Sequence, residues 1–379
     1  MSMIEQLSGP AKALLNPSIE TWRQQGKKVL AYYCPYVPEE MIVAAGMMPF
    51  AMRATGSASS EEGDIYAHSA TCSFIRHILD HAMNGAYNFL DGFISIDCCD
   101  PFRRMFDVWR RKRVPVPEKP LFLQILSIPK KVTGEEVLPR LINEFAGLKD
   151  NMEQYFGLKI TDEDLRRAIK TCNETRRLLK EIYALRKRPD PPLTGGQALE
   201  IVIAAASLPK EECNNLLKEL LAELGNAPGR KDYQARLMVI GSNLDNPDYL
   251  AVMEELGGLV VADYFCNGTM YFWEPVDETL PPLEALARRV LKSPSCPRMI
   301  GDFPRRLELI HEMVKDYLVD GVIVQRLMFC DIWGSEATLL RWEARKAGLP
   351  LLVLEREYAL SGVGQLKTRV QAFMETIGR

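Results

Sequence analysis

The stretch Gly92-Phe-Ile-Ser-Ile-Asp-Cys-Cys-Asp100 is an apolar run that ends, with no polar loop between, on two adjacent cysteines set between two aspartates. Its shortness and its isoleucine and phenylalanine content predict a buried strand over 92–96. A strand end is used here to present sulfur. Thiolate is the working form of cysteine, as nucleophile or as metal ligand, and the carboxyl ends of strands line the ligand crevice of open parallel sheets. Whether other cysteines arrive at the same place decides what the chain does with it.

Two other runs repeat the pattern. Val29-Leu-Ala-Tyr-Tyr-Cys34 is strand-like and stops on a cysteine, and the run over 321–325 continues to Phe329-Cys330. Between the first two cysteine-ended runs, residues 38–49 read as a helix with proline in its first turn and acids near its positive end. A short strand follows over 49–53. His68-Ser-Ala-Thr-Cys72 then opens an amphipathic helix in which Phe74, Ile75, Ile78, Leu79 and Met83 recur at helical spacing. A further strand is expected over 120–126. Strand and helix in this rhythm predict a parallel sheet covered on both faces.

Downstream, long charged helices replace the alternation, which resumes with strands over 237–242, 258–263, 321–325 and 349–355. The expected class is α/β, with a first parallel-sheet domain and N-terminal helices over 1–130, a helical insertion or lid over 131–232, and a second α/β domain over 233–379.

Composition agrees. A chain of 379 residues exceeds what one core usually serves, and 47% apolar with 26% charged residues is ordinary for a globular enzyme. A net charge of −3 with interspersed signs gives no field for nucleic acid or an anionic membrane. The basic residues Arg103-Arg104 and the run Trp109-Arg-Arg-Lys-Arg113 read as a solvated helix end. The start, Met1-Ser-Met-Ile-Glu-Gln, lacks a basic region followed by an apolar core, and no segment reaches the ~18 apolar residues of a membrane span. The expected location is cytoplasmic. Nine cysteines, an odd number, fit thiols or metal ligands in a reducing compartment better than a disulfide framework.

Cys34, Cys99 and Cys330 each follow a strand, so they converge if both sheets point their carboxyl ends at the cleft between domains. Cys72 near a helix start and Cys296 in Pro294-Ser-Cys-Pro297 lie in stretches able to reach the same cleft. Cys172 and Cys213, on charged helices, read as packing residues. Taken singly, any of these is also an ordinary small buried side chain. Zinc favours close Cys-x-x-Cys pairs, and the sequence has none. Widely spaced cysteines from different strands suit an iron–sulfur cluster. Nucleophilic chemistry, with His68 or His77 as base, is the other reading.

Several stretches together resemble the family of 2-hydroxyacyl-CoA dehydratases and benzoyl-CoA reductases. They are Cys34-Pro-Tyr-Val-Pro-Glu-Glu-Met-Ile-Val-Ala-Ala-Gly-Met-Met-Pro49, Cys99-Asp100 after its strand, Asp320-Gly-Val-Ile with Phe329-Cys-Asp331, and the closing Gly364-Gln-Leu-Lys-Thr-Arg369 with Gln371-Ala-Phe-Met-Glu375. The likeness covers nearly the whole chain in order. Leu354-Glu-Arg-Glu-Tyr-Ala-Leu-Ser-Gly-Val-Gly-Gln365 is most similar to the smaller, C-type cluster-bearing subunit of the ATP-dependent benzoyl-CoA reductases.

The resemblance implies two flavodoxin-like (Rossmann-like) domains with a helical part, a 4Fe-4S cubane at their interface, and a CoA thioester above it. It implies an oxidoreductase subunit paired with a sister cluster-bearing subunit. Electrons would come from ferredoxin through a separate ATP-hydrolysing iron–sulfur protein; the chain contains no Gly-x-x-x-x-Gly-Lys-Ser/Thr loop of its own. The alternative within the family is a lyase, a subunit of an (R)-2-hydroxyacyl-CoA dehydratase. An electron-relay subunit whose sister holds the substrate is a third.

By the same resemblance Cys34, Cys72, Cys99, Cys296 and Cys330 are candidate ligands, with Cys72, Cys99 and Cys330 foremost. Cys98 departs from the single Cys-Asp of the dehydratases and points to the double-cubane form that the family also contains. Asp97, Asp100, Asp331, Glu39 and His68 are candidate proton donors, although carboxylates are also common as helix caps where a helix follows a strand. Lys367 and Arg369 are candidates for CoA phosphates.

Overall fold

The computed structural model describes residues 2–112, 120–360 and 362–377. Arg113, the end of the basic run, and Ser361 of the stretch over 354–365 lie outside them. The first sheet contains β1 (Val29–Tyr32), β2 (Met48–Ala51), β3 (Gly92–Ile96) and β4 (Phe122–Leu126), in the order β2-β1-β3-β4. The second contains β5 (Ala235–Gly241), β6 (Gly258–Tyr264), β7 (Gly321–Leu327) and β8 (Leu351–Arg356), in the order β6-β5-β7-β8. Every pairing is parallel. The expected α/β class is the one observed, and each strand read from the sequence falls in it. Both sheets follow the same order, the first four positions of the flavodoxin-like arrangement, so one plan is used twice.

Strands β1, β3, β5 and β6 are buried along their whole length, as parallel strands covered by helices on both faces must be. Between the sheets in sequence come four helices, Val137–Phe156, Asp162–Leu185, Gly195–Ala205 and Lys210–Gly225. The second and third open with capping boxes, Thr161 with Asp164 and Thr194 with Gln197, which satisfy the first free N–H groups. Gly195–Ala205 is apolar on nearly every side and almost wholly buried. Ala198, Ile201 and Val202 pack with the core of the first sheet, and Leu199 and Ile203 with that of the second. Each such buried leucine or isoleucine is worth about 1.5–3 kcal/mol, so this helix joins the halves from within.

Polar contacts hold the halves in register. The Ala54 N–H donates to Asp245 Oδ2 at 2.7 Å, Tyr358 N–H to Ser73 Oγ at 2.8 Å, and Cys296 N–H to the Tyr36 hydroxyl at 2.8 Å. Among the described residues no helix is long and apolar enough to cross a membrane.

Candidate functional site

The carboxyl ends of both sheets meet at a cavity of about 330 Å³. From the first half come Tyr33 and Cys34 beyond β1, Cys98 and Cys99 beyond β3, and Cys72. From the second come Ser242 and Asn243 beyond β5, Cys266 beyond β6, Phe329 and Cys330 beyond β7, and Cys296 with Arg298 from the loop after helix Pro282–Lys292. Six cysteines expected at the cleft, Cys34, Cys72, Cys98, Cys99, Cys296 and Cys330, all line this one space. A seventh, Cys266, joins them. Cys172 and Cys213 are fully buried elsewhere and do not.

The local structure shows how each sulfur is placed. Cys72 and Cys330 are the N-cap residues of helices Ser73–Met83 and Asp331–Ala347, and Cys99 immediately precedes helix Asp100–Lys112. A helix start supplies free N–H groups and a positive dipole end, both of which favour an anionic sulfur. Cys34 lies in the left-handed region at φ 86°, and so does Phe329 at φ 63°. Such strain in non-glycine residues costs of order 1–3 kcal/mol and clusters at functional sites. Here it turns the chain sharply at the ends of β1 and β7. Tyr33 stacks on Phe102 with ring centroids 3.6 Å apart, and with Phe74, Ile75 and Leu327 it gives the cavity an apolar wall. Phe329, 42% exposed, stands at its mouth.

Desolvation sets the electrostatics. It pushes the Cys34 and Cys72 thiols from an ordinary value near 9 up to about 12, and Cys296 up to about 11. It also raises Cys98, Cys266 and Cys330. A rise from 9 to 12 is a penalty of roughly 4 kcal/mol on the bare thiolate. Cys99 differs: Cys98 donates to it across 3.9 Å, and this hydrogen bond, with help from the Phe102 N–H and Arg298, brings it below the usual thiol range. Arg298 is itself buried and is anchored to the first half through Asp97 Oδ1 at 3.1 Å and the Ile128 carbonyl at 3.0 Å.

Seven sulfurs, all but Cys72 partly accessible, therefore line one space in which burial disfavours most of the bare thiolates, and a positive centre would keep several of them ionised. Among the described residues no three His, Cys, Asp or Glu side chains are gathered tightly enough to hold a single metal ion. The thiols enter the cavity wall from both halves of the chain, so a body that bridges them must span the space. The donor set fits a polynuclear, thiolate-bound cofactor better than one ion.

The other expected residues separate. Asp100 lines the cavity, is exposed, and pairs with Arg104 at 3.6 Å. Asp331 also lines it, and Asp97 holds Arg298. His68 is exposed and accepts from the Ala70 N–H at 3.0 Å, away from the walls. Glu39 is buried outside the cavity. Its carboxylate accepts from the hydroxyls of Tyr271 and Tyr32 at 3.0 and 3.2 Å and meets Lys210 at 2.8 Å. Lys367 pairs with Glu255 at 2.8 Å, and Arg369 donates to the Val353 carbonyl; neither faces the thiols. A larger open groove of about 1200 Å³ runs past Pro17 and Thr171. It carries no cysteine, and Lys159, Arg167 and Lys210 on its walls are matched by Glu153, Asp164 and Glu39. The thiol cavity is the chemically loaded place.

Sequence reasoning missed Cys266: the signal, a cysteine just past an apolar strand, is blurred by Asp263, which makes the run look shorter than β6 is.

Comparison with known proteins places the chain in a family. The sequence model of the family described as 2-hydroxyglutaryl-CoA dehydratase, D-component, matches residues 34–377. Among curated relatives, the (R)-phenyllactyl-CoA dehydratase beta subunit of Clostridium sporogenes is 24% identical over 93% of this chain and 93% of its own length. The beta subunit of the (R)-2-hydroxyglutaryl-CoA dehydratase of Acidaminococcus fermentans is 26% identical over 94% of each. The C subunit of the benzoyl-CoA reductase of Thauera aromatica is 27% identical over 82% of this chain and 81% of its own. The chain belongs to the 2-hydroxyglutaryl-CoA dehydratase D-component family, as the resemblance in its sequence motifs implied.

Proposed function

We propose that this member of the dehydratase family is the iron–sulfur subunit of an ATP-dependent, ferredoxin-driven enzyme of the benzoyl-CoA reductase type, which reduces the ring of an aromatic acyl-CoA in single-electron steps. The observation that carries the reading is the arrival of seven cysteines, from both halves of the chain, at one cavity. When bound there, an iron–sulfur cluster would supply single electrons at low potential, the chemistry that no side chain provides.

The chain's own residues do the rest. Cys72, Cys99 and Cys330, each at a helix start, are the first ligands assigned, with Cys34, Cys98, Cys266 and Cys296 completing the sulfur wall. Tyr33, Phe74 and Phe102 keep water from the sulfurs and offer flat apolar surface to a ring. Asp100 reaches the cavity where Glu39 and His68 do not, and proton delivery is assigned to its carboxyl group. A sister subunit, an ATP-hydrolysing iron–sulfur activase and ferredoxin complete the system.

A second reading, a subunit of an (R)-2-hydroxyacyl-CoA dehydratase, rests on the two dehydratase relatives, which match 93% and 94% of the chain at identities similar to that of the reductase relative. Both readings need the cluster and differ in the acyl group. The complex purified without oxygen is expected to carry iron and acid-labile sulfide on this chain, about four irons for one cubane or about eight for a double cubane. Turnover of benzoyl-CoA supports the reductase, and turnover of a 2-hydroxyacyl-CoA alone replaces it with the dehydratase. A complex free of iron overturns both.

A further inference from the structure

Two polar side chains on the cavity wall have capacity that the described residues do not use. Asn243 is 6% exposed, and neither its amide nitrogen nor its amide oxygen has a hydrogen-bond partner among them. Arg298 is 7% exposed, and its Nε has none. A buried amide or guanidinium N–H left unmade costs about 1–3 kcal/mol. Both of these residues line the space that the seven thiols face.

The backbone around Asn243 is fixed, which removes the simplest explanation. Gly241 ends β5 at φ 143°, and a Cβ there would lie 1.7 Å from the Gln325 carbonyl oxygen, so only glycine lets the chain cross β7 this closely. Ser242 N–H donates to that same carbonyl at 3.0 Å, and Ser242 Oγ accepts from the Leu327 N–H at 3.0 Å. The Asn243 carbonyl accepts from Arg356 Nη2 at 2.8 Å. Gln325 Nε2 also donates to the Ser242 carbonyl, so the main chain at 242–243 is tied through an N–H and two carbonyls while the Asn243 side chain is tied on none. Arg298 shows the same division: Nη2 is held by Asp97 and Ile128, and Nε is left over.

We infer that Asn243 and Arg298 are hydrogen-bond donors reserved for the sulfur of the cavity's occupant, and that they set its reduction potential. The inference rests on the cluster reading. A cluster held by thiolates is anionic, and N–H groups aimed at its sulfur stabilise the more negative, reduced form. Removing such a donor lowers the potential. The two are positioning residues: they act on electron uptake through the sulfur and form no bond to the substrate.

The cleaner test is Asn243→Leu, because that side chain holds nothing else in place; Asn243→Ala covers the case in which leucine does not fit. The anaerobic complex of each variant is titrated with redox dyes and followed by EPR, with iron counted on the same samples. Iron is expected to stay at the parent level while the midpoint falls. A tenfold fall in the ratio of reduced to oxidised cluster at the parent's midpoint corresponds to 59 mV for one electron. The iron-free variant is expected to unfold at a higher temperature than the iron-free parent, since an unpartnered buried amide has been removed. Full iron with an unchanged midpoint in both variants overturns this inference alone. A parent complex without iron overturns the cluster reading, and this inference with it.

Discussion

Two polar regions flank β1, and they are built on opposite rules. On one side Glu39 and Glu40 are matched by Lys210 and Arg176: Lys210 Nζ meets Glu39 at 2.8 Å and also donates to the Ala205 carbonyl at 2.9 Å, and Arg176 pairs with Glu40. Tyr32 and Tyr271 add their hydroxyls to the Glu39 carboxylate. Nearly every charge has a partner. On the other side seven thiols face a cavity whose walls, among the described residues, carry no cation but Arg298 and Lys130, and Asn243 and Arg298 keep unused donors there. In the first region every charged group is answered from within the chain, and only single atoms, Glu40 Oε2 and Arg176 Nε, lack a hydrogen-bond partner among the described residues. The second is finished only when something else is bound, and that difference, more than burial or polarity alone, separates a core from a site.

The contrast is broken most directly at the thiols. Cys99→Ser and Cys330→Ser are expected to abolish acyl-CoA turnover and strip most of the iron, while changing the unfolding free energy of the iron-free chain by about 1 kcal/mol or less. Iron analysis alongside urea unfolding checks both halves of the statement; serine variants that keep full activity would return these sulfurs to the core. The converse change is Lys210→Met, which leaves the Glu39 carboxylate without its nearest cation. Breaking a buried ion pair from one side costs about 3–5 kcal/mol, so the urea midpoint is expected to fall steeply while the folded fraction still binds iron. A Lys210 variant of parental stability would mean that the network is not structural.

A sharper comparison sets Cys266 against Cys172, two thiols that differ in what they face. Cys266→Ser is expected to lower the iron content or change the EPR signature of the complex, and Cys172→Ser to change neither. Equal spectra from the two variants would remove Cys266 from the sulfur wall.

The same contrast explains what could be read in advance. Strands and their order along the chain were legible because each is a short apolar run, several of them opening on glycine, as at Gly92, Gly258 and Gly321. Cys34, Cys98, Cys99 and Cys330 were legible because they follow those runs, and Cys72 and Cys296 because a helix start and a proline-flanked loop can reach the same cleft. Cys266 was not, for a physical reason. Asp263 looks like the end of an apolar strand, but the strand continues to Tyr264, and Asp263 is buried where Tyr183 donates to it at 2.8 Å and Arg186 approaches at 3.4 Å. A compensated charge inside a strand imitates a strand end. Glu39 misled in the same way: read as an acid beside Cys34, it is answered by Arg176, Lys210 and Tyr271, all more than 130 residues away, and nothing local announces that pairing. Apolar periodicity is local information, whereas charge compensation is settled by the fold.

The smallest effect tests the compensated side by pH. Burial alone would raise the Glu39 carboxyl, but Lys210 and Arg176 outweigh it and hold the group below its ordinary value near 4.5. The folded state then binds the Glu39 proton less readily than the unfolded state. Its stabilising contribution is complete above the ordinary carboxylate range and is lost as pH falls through the lower, folded value. Over that window one such group tilts the stability curve by up to about 1.4 kcal/mol per pH unit. Glu39→Gln cannot titrate, so the stability gap between parent and variant, measured by urea unfolding at a series of pH values, is expected to be constant near neutrality and to narrow as the solution is acidified below that range. The thiol cavity makes the opposite prediction for the same measurement. Its raised thiols are neutral throughout that interval, so Cys34→Ser should shift the iron-free curve without changing its slope. A gap that stays constant for Glu39→Gln into acid would show that its charge is not what the network is built around.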